Sequence, residues 1–176
     1  MASGRQNKLT GATGEFLVSA ELCRRGFIAT PFAGNVPHFD IIASTEDGVH
    51  LSVQVKAATR GTWQFNAKAF VEVTMNGEIQ EVGAVRSAPV TGLIIVMVAL
   101  RGNPAEHDRF YVLSWRELAE IVSSCHRGHL DRHGGRRPRA PHSTHVSVPE
   151  SALSPFAERW ALLTEFGHSV PSDQAS

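Results

Sequence analysis

Three polar side chains stand where burial would be costly. The stretch HFDIIASTEDGVHLSVQVKAA, residues 38 to 58, is two apolar runs joined by Glu46-Asp47-Gly48, and Asp40, Gln54 and Lys56 lie inside it. Runs rich in Val and Ile are usually buried, whereas charged groups are rarely fully buried unless paired. Removing them from water without compensation costs free energy. A carboxylate, an amide and an ammonium at these spacings either satisfy one another, as in a cross-strand ion pair, or serve a charged ligand.

The elements that must position them follow from the pattern. Asp40 to Ser44 and Val49 to Ala58 read as a hairpin around the Glu-Asp-Gly turn. Leu51, Val53, Val55 and Ala57 alternate with Ser52, Gln54, Lys56 and Ala58, so period two puts Gln54 and Lys56 on one face. Asp40, on the neighbouring strand, is within cross-strand reach. Upstream, Phe16, Leu17, Ala20 and Cys23 recur at helical spacing. Thr13 is placed to cap that helix and Gly26-Phe27 to stop it, with Glu15 in its first turn. A short strand is predicted over Phe27 to Phe32, then a loop at AGNVP (33 to 37).

Downstream, Asn76-Gly77 between FVEVTM and EIQEV predicts a second hairpin. The run TGLIIVMVAL (91 to 100) lacks alternation and reads as a strand buried on both faces, which requires helices to cover the sheet. RFYVL (109 to 113) is a further strand. Ser114 to Glu117 forms a capping box, with Leu113 and Leu118 placed as a hydrophobic staple, and opens a helix through about Ser124. A last helix is expected from Ser154-Pro155 through RWALLTEF to Gly167. The fold class is α/β, a central mixed β-sheet flanked by helices. The expected layout is a flexible segment over 1–10, a single domain over 11–167 and a disordered tail over 168–176.

Glu15, Asp40, Gln54 and Lys56, in this order, resemble the PD-(D/E)xK nuclease superfamily. Its pattern places a Glu on the first helix, an Asp at the start of the second strand and an acidic-x-Lys motif on the third. The matching residues are GATGE ending at Glu15, PHFD ending at Asp40, and VQVK with Gln54 and Lys56. The later buried strand, FYVLSWREL and a terminal helix with a Trp are similar to bacterial members with a Q-x-K core. The likeness spans roughly residues 11 to 165 and implies a restriction-endonuclease-like core. Two departures stand out: Gln54 replaces the usual acid, removing one negative charge, and two residues separate Pro37 from Asp40.

The resemblance implies hydrolysis of DNA phosphodiester bonds with Mg²⁺ or Mn²⁺ as cofactor. Such an ion stabilises charge on the phosphate and activates water. Mg²⁺ takes oxygen ligands and often only one or two carboxylates. Asp40 is then the main metal ligand, with the Gln54 side-chain oxygen, the Val55 carbonyl and Glu15 completing the set. Lys56, with three donors and one charge, positions water or stabilises the developing charge. The partner implied is nucleic acid, namely DNA, and the superfamily suggests a homodimer acting on two strands. Rival readings are a non-catalytic nucleic-acid-binding module and a protein-interaction domain, since fold does not dictate function.

Taken singly, each residue has a plainer reading. The helix dipole favours a Glu in a first turn, an Asp at a strand start caps turns, and Gln54 with Lys56 suits a solvated hairpin face. Their joint occurrence at short spacing carries the functional reading.

Composition narrows the field. The chain has 176 residues, 17 Lys and Arg against 17 Asp and Glu, and two cysteines. That excludes a disulfide framework, and Cys23 and Cys125 suit a reducing cytoplasm. No apolar run approaches a membrane span. The segment HRGHLDRHGGRRPRAPH (126 to 142) is locally basic and rich in Gly and Pro, so a basic loop is expected over about 126–146. Its Arg132, Arg136, Arg137 and Arg139 are candidates for phosphate contacts. Arg60 and Trp63, just beyond the Lys56 strand, are candidates for substrate backbone and base stacking. Cys125, His126, His129 and His133 raise a zinc site as a lesser alternative to a plain basic loop.

Overall fold

The computed structural model describes residues 4–32, 37–103 and 105–168. Most of the predicted 33–37 loop, and all but the first residue of the predicted 168–176 tail, lie outside these residues.

A five-stranded mixed sheet organises the chain, in the order β1 (Ile28–Pro31), β2 (Ile41–Ser44), β3 (His50–Ala58), β7 (Ile94–Ala99), β8 (Arg109–Ser114). Only β3 and β7 are parallel; the other neighbours are antiparallel. The β2–β3 hairpin closes with Thr45 accepting from Gly48, whose φ of +85° suits a glycine. β7 is buried at every position, which explains its unbroken apolar run. Ile94, Val96 and Val98 join one core, and Ile95, Met97 and Ala99 the other.

α1 (Gly4–Arg24) covers the first face with Val18 and Leu22, joined by Trp160 and Leu163 near and in α3 (Ala161–His168). Each such fully buried Leu or Val contributes about 1.5–3 kcal/mol. The end of α1 is as predicted: Phe27 N–H bonds to Leu22 O and Gly26 N–H to Cys23 O, with Gly26 at φ +86°. Its start is not. The helix begins at Gly4 instead of near Thr13, and the Thr13 hydroxyl donates to Leu9 O inside it.

The second face is covered by α2 (Trp115–Asp131) and two ribbons, β4 (Thr62–Asn66) with β9 (His145–Pro149) and β5 (Val71–Asn76) with β6 (Ile79–Val85). The Ser114–Glu117 capping box is present, and Leu113 and Leu118 are both fully buried. In the second hairpin Asn76 pairs with Ile79, so Gly77-Glu78 form the two-residue turn. Only Gly77 has positive φ, the arrangement that puts glycine first in the turn.

Three expectations are corrected. α2 runs beyond Ser124 to Asp131, because Leu118, Val122, His126 and Leu130 keep one buried stripe. The basic loop is therefore shorter than 126–146, between α2 and β9. Ser154 and Pro155 do not open the last helix; they lie in a 3-10 helix, Glu150–Phe156, and α3 begins at Ala161.

Candidate functional site

β2 ends short of its partner. Ile41 faces Val53 on β3, and beyond that pair the edge of β3 is open to Asp40. His38 adopts φ +77°, an uncommon conformation for a residue with a β-carbon, and turns the chain into place. Asp40 N–H then donates to Val53 O at 2.9 Å, and Asp40 Oδ2 accepts from Val55 N–H at 2.7 Å. A side-chain carboxylate thus continues the ladder that β2 abandons. Backbone groups of alternate residues leave a strand by the same edge, so the Val55 carbonyl projects on the Asp40 side.

α1 brings Glu15 to this edge. Gly14 is buried against β3, where an added β-carbon would stand 2.6 Å from Ala57 Cβ. Only glycine permits that approach, and the next residue is Glu15. Burial first, and then the negative charge of Asp40, push the Glu15 carboxyl above its usual range, with Lys56 pulling the other way. Glu15, Asp40 and Lys56 therefore share one electrostatic neighbourhood.

Lys56 and Gln54 are half-buried and alternate with Val53 and Val55, which face α1. Among the described residues Lys56 forms no ion pair with Asp40 or any other acid, so the simple cross-strand pair is not what compensates it. Gln54 sits on the Lys56 face, and its side chain is without a hydrogen-bond partner among the described residues. Nothing ties it to Asp40 or Glu15.

A groove of about 340 Å³ opens beside Lys56, lined by Asn7, Thr10, Thr59, Arg60, Thr62 and Gln64 among others. Arg60 is exposed in the turn between β3 and β4. Trp63 corrects the base-stacking expectation. It is 4% exposed, donates its Nε1–H to Lys56 O at 2.8 Å and meets Tyr111 edge to face. It is a core ring that also fixes the Lys56 backbone. A larger hollow, about 580 Å³ around Arg86, Trp115 and Arg116, holds none of the predicted residues.

The basic segment divides. Arg136 pairs with Glu78 at 3.2 Å on the surface; Arg132 and Arg139 are exposed, and Arg137 is half-buried. Its backbone is stitched to the second hairpin, Gln80 N–H donating to Gly135 O. Cys125, His126 and His129 lie on the last turns of α2 and not in a loop. His126 is fully buried and its Nε2 meets Gln80 Oε1 at 2.9 Å. Among the described residues no three His, Cys, Asp or Glu side chains group as a metal site.

A divalent ion suits the donor set at the β3 edge on its chemistry. Two carboxylates repel each other there, without a direct cationic partner among the described residues, next to an outward backbone carbonyl. That is the hard, oxygen-only supply a Mg²⁺ ion uses along with its waters. Asp40 keeps acceptor capacity after its bond to Val55, since a carboxylate has about four lone-pair sites.

Gly14 and His38 were not foreseen as site-forming. The signal for Gly14 was its place directly before Glu15 on a helix face that must meet a strand. For His38 there was none, because its strained φ arises only when the loop is closed.

No family model matches the sequence, and no curated protein matches it. Among solved structures the chain is similar to a bacterial homing endonuclease, at 14% identity and a TM-score of 0.51, covering 96% of this chain and 98% of that one. It is also similar to Hjc, a Holliday junction resolvase from the archaeal hyperthermophile Archaeoglobus fulgidus, at 15% identity and a TM-score of 0.43, covering 92% and 98%. At such identities the first likeness speaks for the fold alone, and the second is too loose to add to it. The chain has the restriction-endonuclease-like fold, the fold of the PD-(D/E)xK nucleases.

Proposed function

We propose that this protein is a metal-dependent nuclease that hydrolyses DNA phosphodiester bonds at the open edge of β3. The observation that carries the reading is the meeting of Glu15, Asp40 and Lys56 where β2 leaves β3, with burial and the Asp40 charge raising the cost of ionising Glu15. Asp40, Glu15, the Val55 carbonyl and Gln54 would hold Mg²⁺ or Mn²⁺, with Asp40 first because its backbone and side chain are both anchored. When bound, the ion supplies charge stabilisation and an activated water.

The residues of the chain do the rest. Lys56 has no ion-pair partner among the described residues, so its ammonium is available to the phosphate. It neutralises charge developing on the non-bridging oxygens and orients a water by hydrogen bonding. Trp63 holds the Lys56 carbonyl and so keeps the strand in register. Arg60 and the polar groove beside it suit the flanking backbone. Arg132, Arg136, Arg137 and Arg139 belong to the same proposal as a second region of phosphate contact, and a homodimer would bring two such sites to a duplex.

Gln54 favours one rival, a binding module that has lost catalysis with its third acid. A cleavage assay separates the two. Mixed linear, nicked and branched DNA is incubated with Mg²⁺ or Mn²⁺ and either the parent or Lys56→Ala. Nicking by the parent and none by the variant is expected. Salt-sensitive binding without cleavage under either metal would install the module instead.

A further inference from the structure

Far along the chain from the β3 edge, the turn after α2 borders an open cavity of about 450 Å³ lined by His129, Arg137, Arg139, Ser143 and His145 among others. No carboxylate among the described residues lines it. Arg137 lines it half-buried, and its Nη1, buried away from solvent, has no hydrogen-bond partner. Buried polar atoms are almost always paired, so Arg137 carries a guanidinium that the fold itself does not satisfy. The neighbouring arginine outside the cavity behaves differently, Arg136 being paired with Glu78.

The walls are fixed from behind. The Gln80 side chain donates to Pro141 O and to Ser143 O, and its Oε1 meets His126 Nε2. The cationic groups thus stand on an anchored frame. His129 also reports an uncompensated positive field: burial, then Arg137, His133 and Arg132, hold its imidazole below the usual range. His126 is lowered by burial, Arg137 and His129.

We infer that this cavity is a phosphate-binding site, taking one phosphate group on the Arg137 and Arg139 guanidinium forks. Guanidinium forks match phosphate oxygens two at a time, and charge-assisted bonds of this kind are the strong ones. The group comes from the end of a nucleic acid strand or from within its backbone. This site is independent of hydrolysis at Asp40, so it is tested in EDTA, where cleavage plays no part.

The experiment is a calorimetric titration of the full chain with inorganic phosphate, then with an oligonucleotide bearing a terminal phosphate and its unphosphorylated twin. Arg137→Gln is compared with Arg116→Gln, a guanidinium already paired with Glu120 on the exposed face of α2, and thermal melting checks that both variants fold. Saturable phosphate binding is expected, weakened about tenfold or more by Arg137→Gln and little by Arg116→Gln. Phosphate should also raise the His129 imidazole titration midpoint followed by NMR, and Arg137→Gln should remove that shift. A preference for the terminally phosphorylated strand that Arg137→Gln abolishes assigns the site to a strand end. Equal binding of both strands, weakened alike, assigns it to the backbone. No saturable phosphate binding, or binding that Arg137→Gln leaves intact, overturns the proposal.

Discussion

Glu117 and Glu150 are neutralised from within the fold, whereas Glu15 is left facing a second carboxylate. Glu117 accepts from Ser114 in the capping box and from both terminal nitrogens of Arg159. Burial alone would raise its pKa, but those bonds hold it below the ordinary range. Glu150 is similar: burial opposes ionisation, and bonds from Tyr111 and Arg101 more than reverse it. At Glu15 burial has no such answer, and Asp40 adds to it. The first two acids join elements of the fold: Glu117 ties α2 to the segment before α3, and Glu150 ties the β4–β9 ribbon to β7 and β8. The third has no such bond among the described residues, and the proposed cation site is what would use it. A carboxylate's environment thus separates architecture from chemistry more sharply than its burial does.

The comparison can be broken at several points. Asp40→Asn retains an oxygen to accept from Val55 N–H, so the fold should survive while DNA cleavage falls by about a hundredfold or more; circular dichroism beside a plasmid-nicking assay checks both halves. Gly14→Ala puts a methyl 2.6 Å from Ala57 Cβ. Pushing α1 off β3 should cost about 1–3 kcal/mol and displace Glu15, seen as a lower urea midpoint together with weaker metal binding. Glu117→Gln should lower stability by about 0.5–1 kcal/mol through loss of the charged Arg159 pair, since glutamine can still accept from Ser114 N–H, with divalent-metal affinity unchanged in titration.

The pH dependences should have opposite signs. Glu117 and Glu150 have lowered folded pKa values, so their contribution is present above the unfolded value of about 4.3 and is lost as pH falls through the lower folded values. Glu15 is raised. Between its unfolded and folded values the native state holds the proton more tightly, so stability falls as pH rises through that window and the penalty is complete above it. Urea unfolding across a pH series in EDTA should show Glu15→Gln more stable than the parent on the alkaline side, and saturating Mg²⁺ should erase that advantage.

The sequence disclosed whatever depends on local pattern. Alternation and a Glu-Asp-Gly turn gave β2 and β3, an unbroken apolar run gave β7, and the capping box with its staple gave the start of α2. It concealed whatever depends on distant partners. β4 and β9 pair across some eighty residues, and neither has a turn signal to announce the other. α2 looked shorter than it is because His126 interrupts an apolar stripe only until its bond to Gln80 is known. The start of α1 was hidden by a polar, glycine-containing stretch whose helix rests on packing further along. For the candidate site, residue types and order were legible. The Asp40 bond to the β3 edge, the Gly14 contact and the burial of Trp63 were not, since each is a tertiary contact.

We propose the open edge of β3 as a divalent-cation site. Isothermal titration of the parent, Asp40→Asn and Gln54→Glu with Mg²⁺ or Mn²⁺ addresses it most directly. Saturable binding is expected in the parent, absent in Asp40→Asn and about tenfold tighter in Gln54→Glu, where a third carboxylate joins the set. Heats of simple dilution in the parent, or equal affinities for the parent and Asp40→Asn, would contradict it.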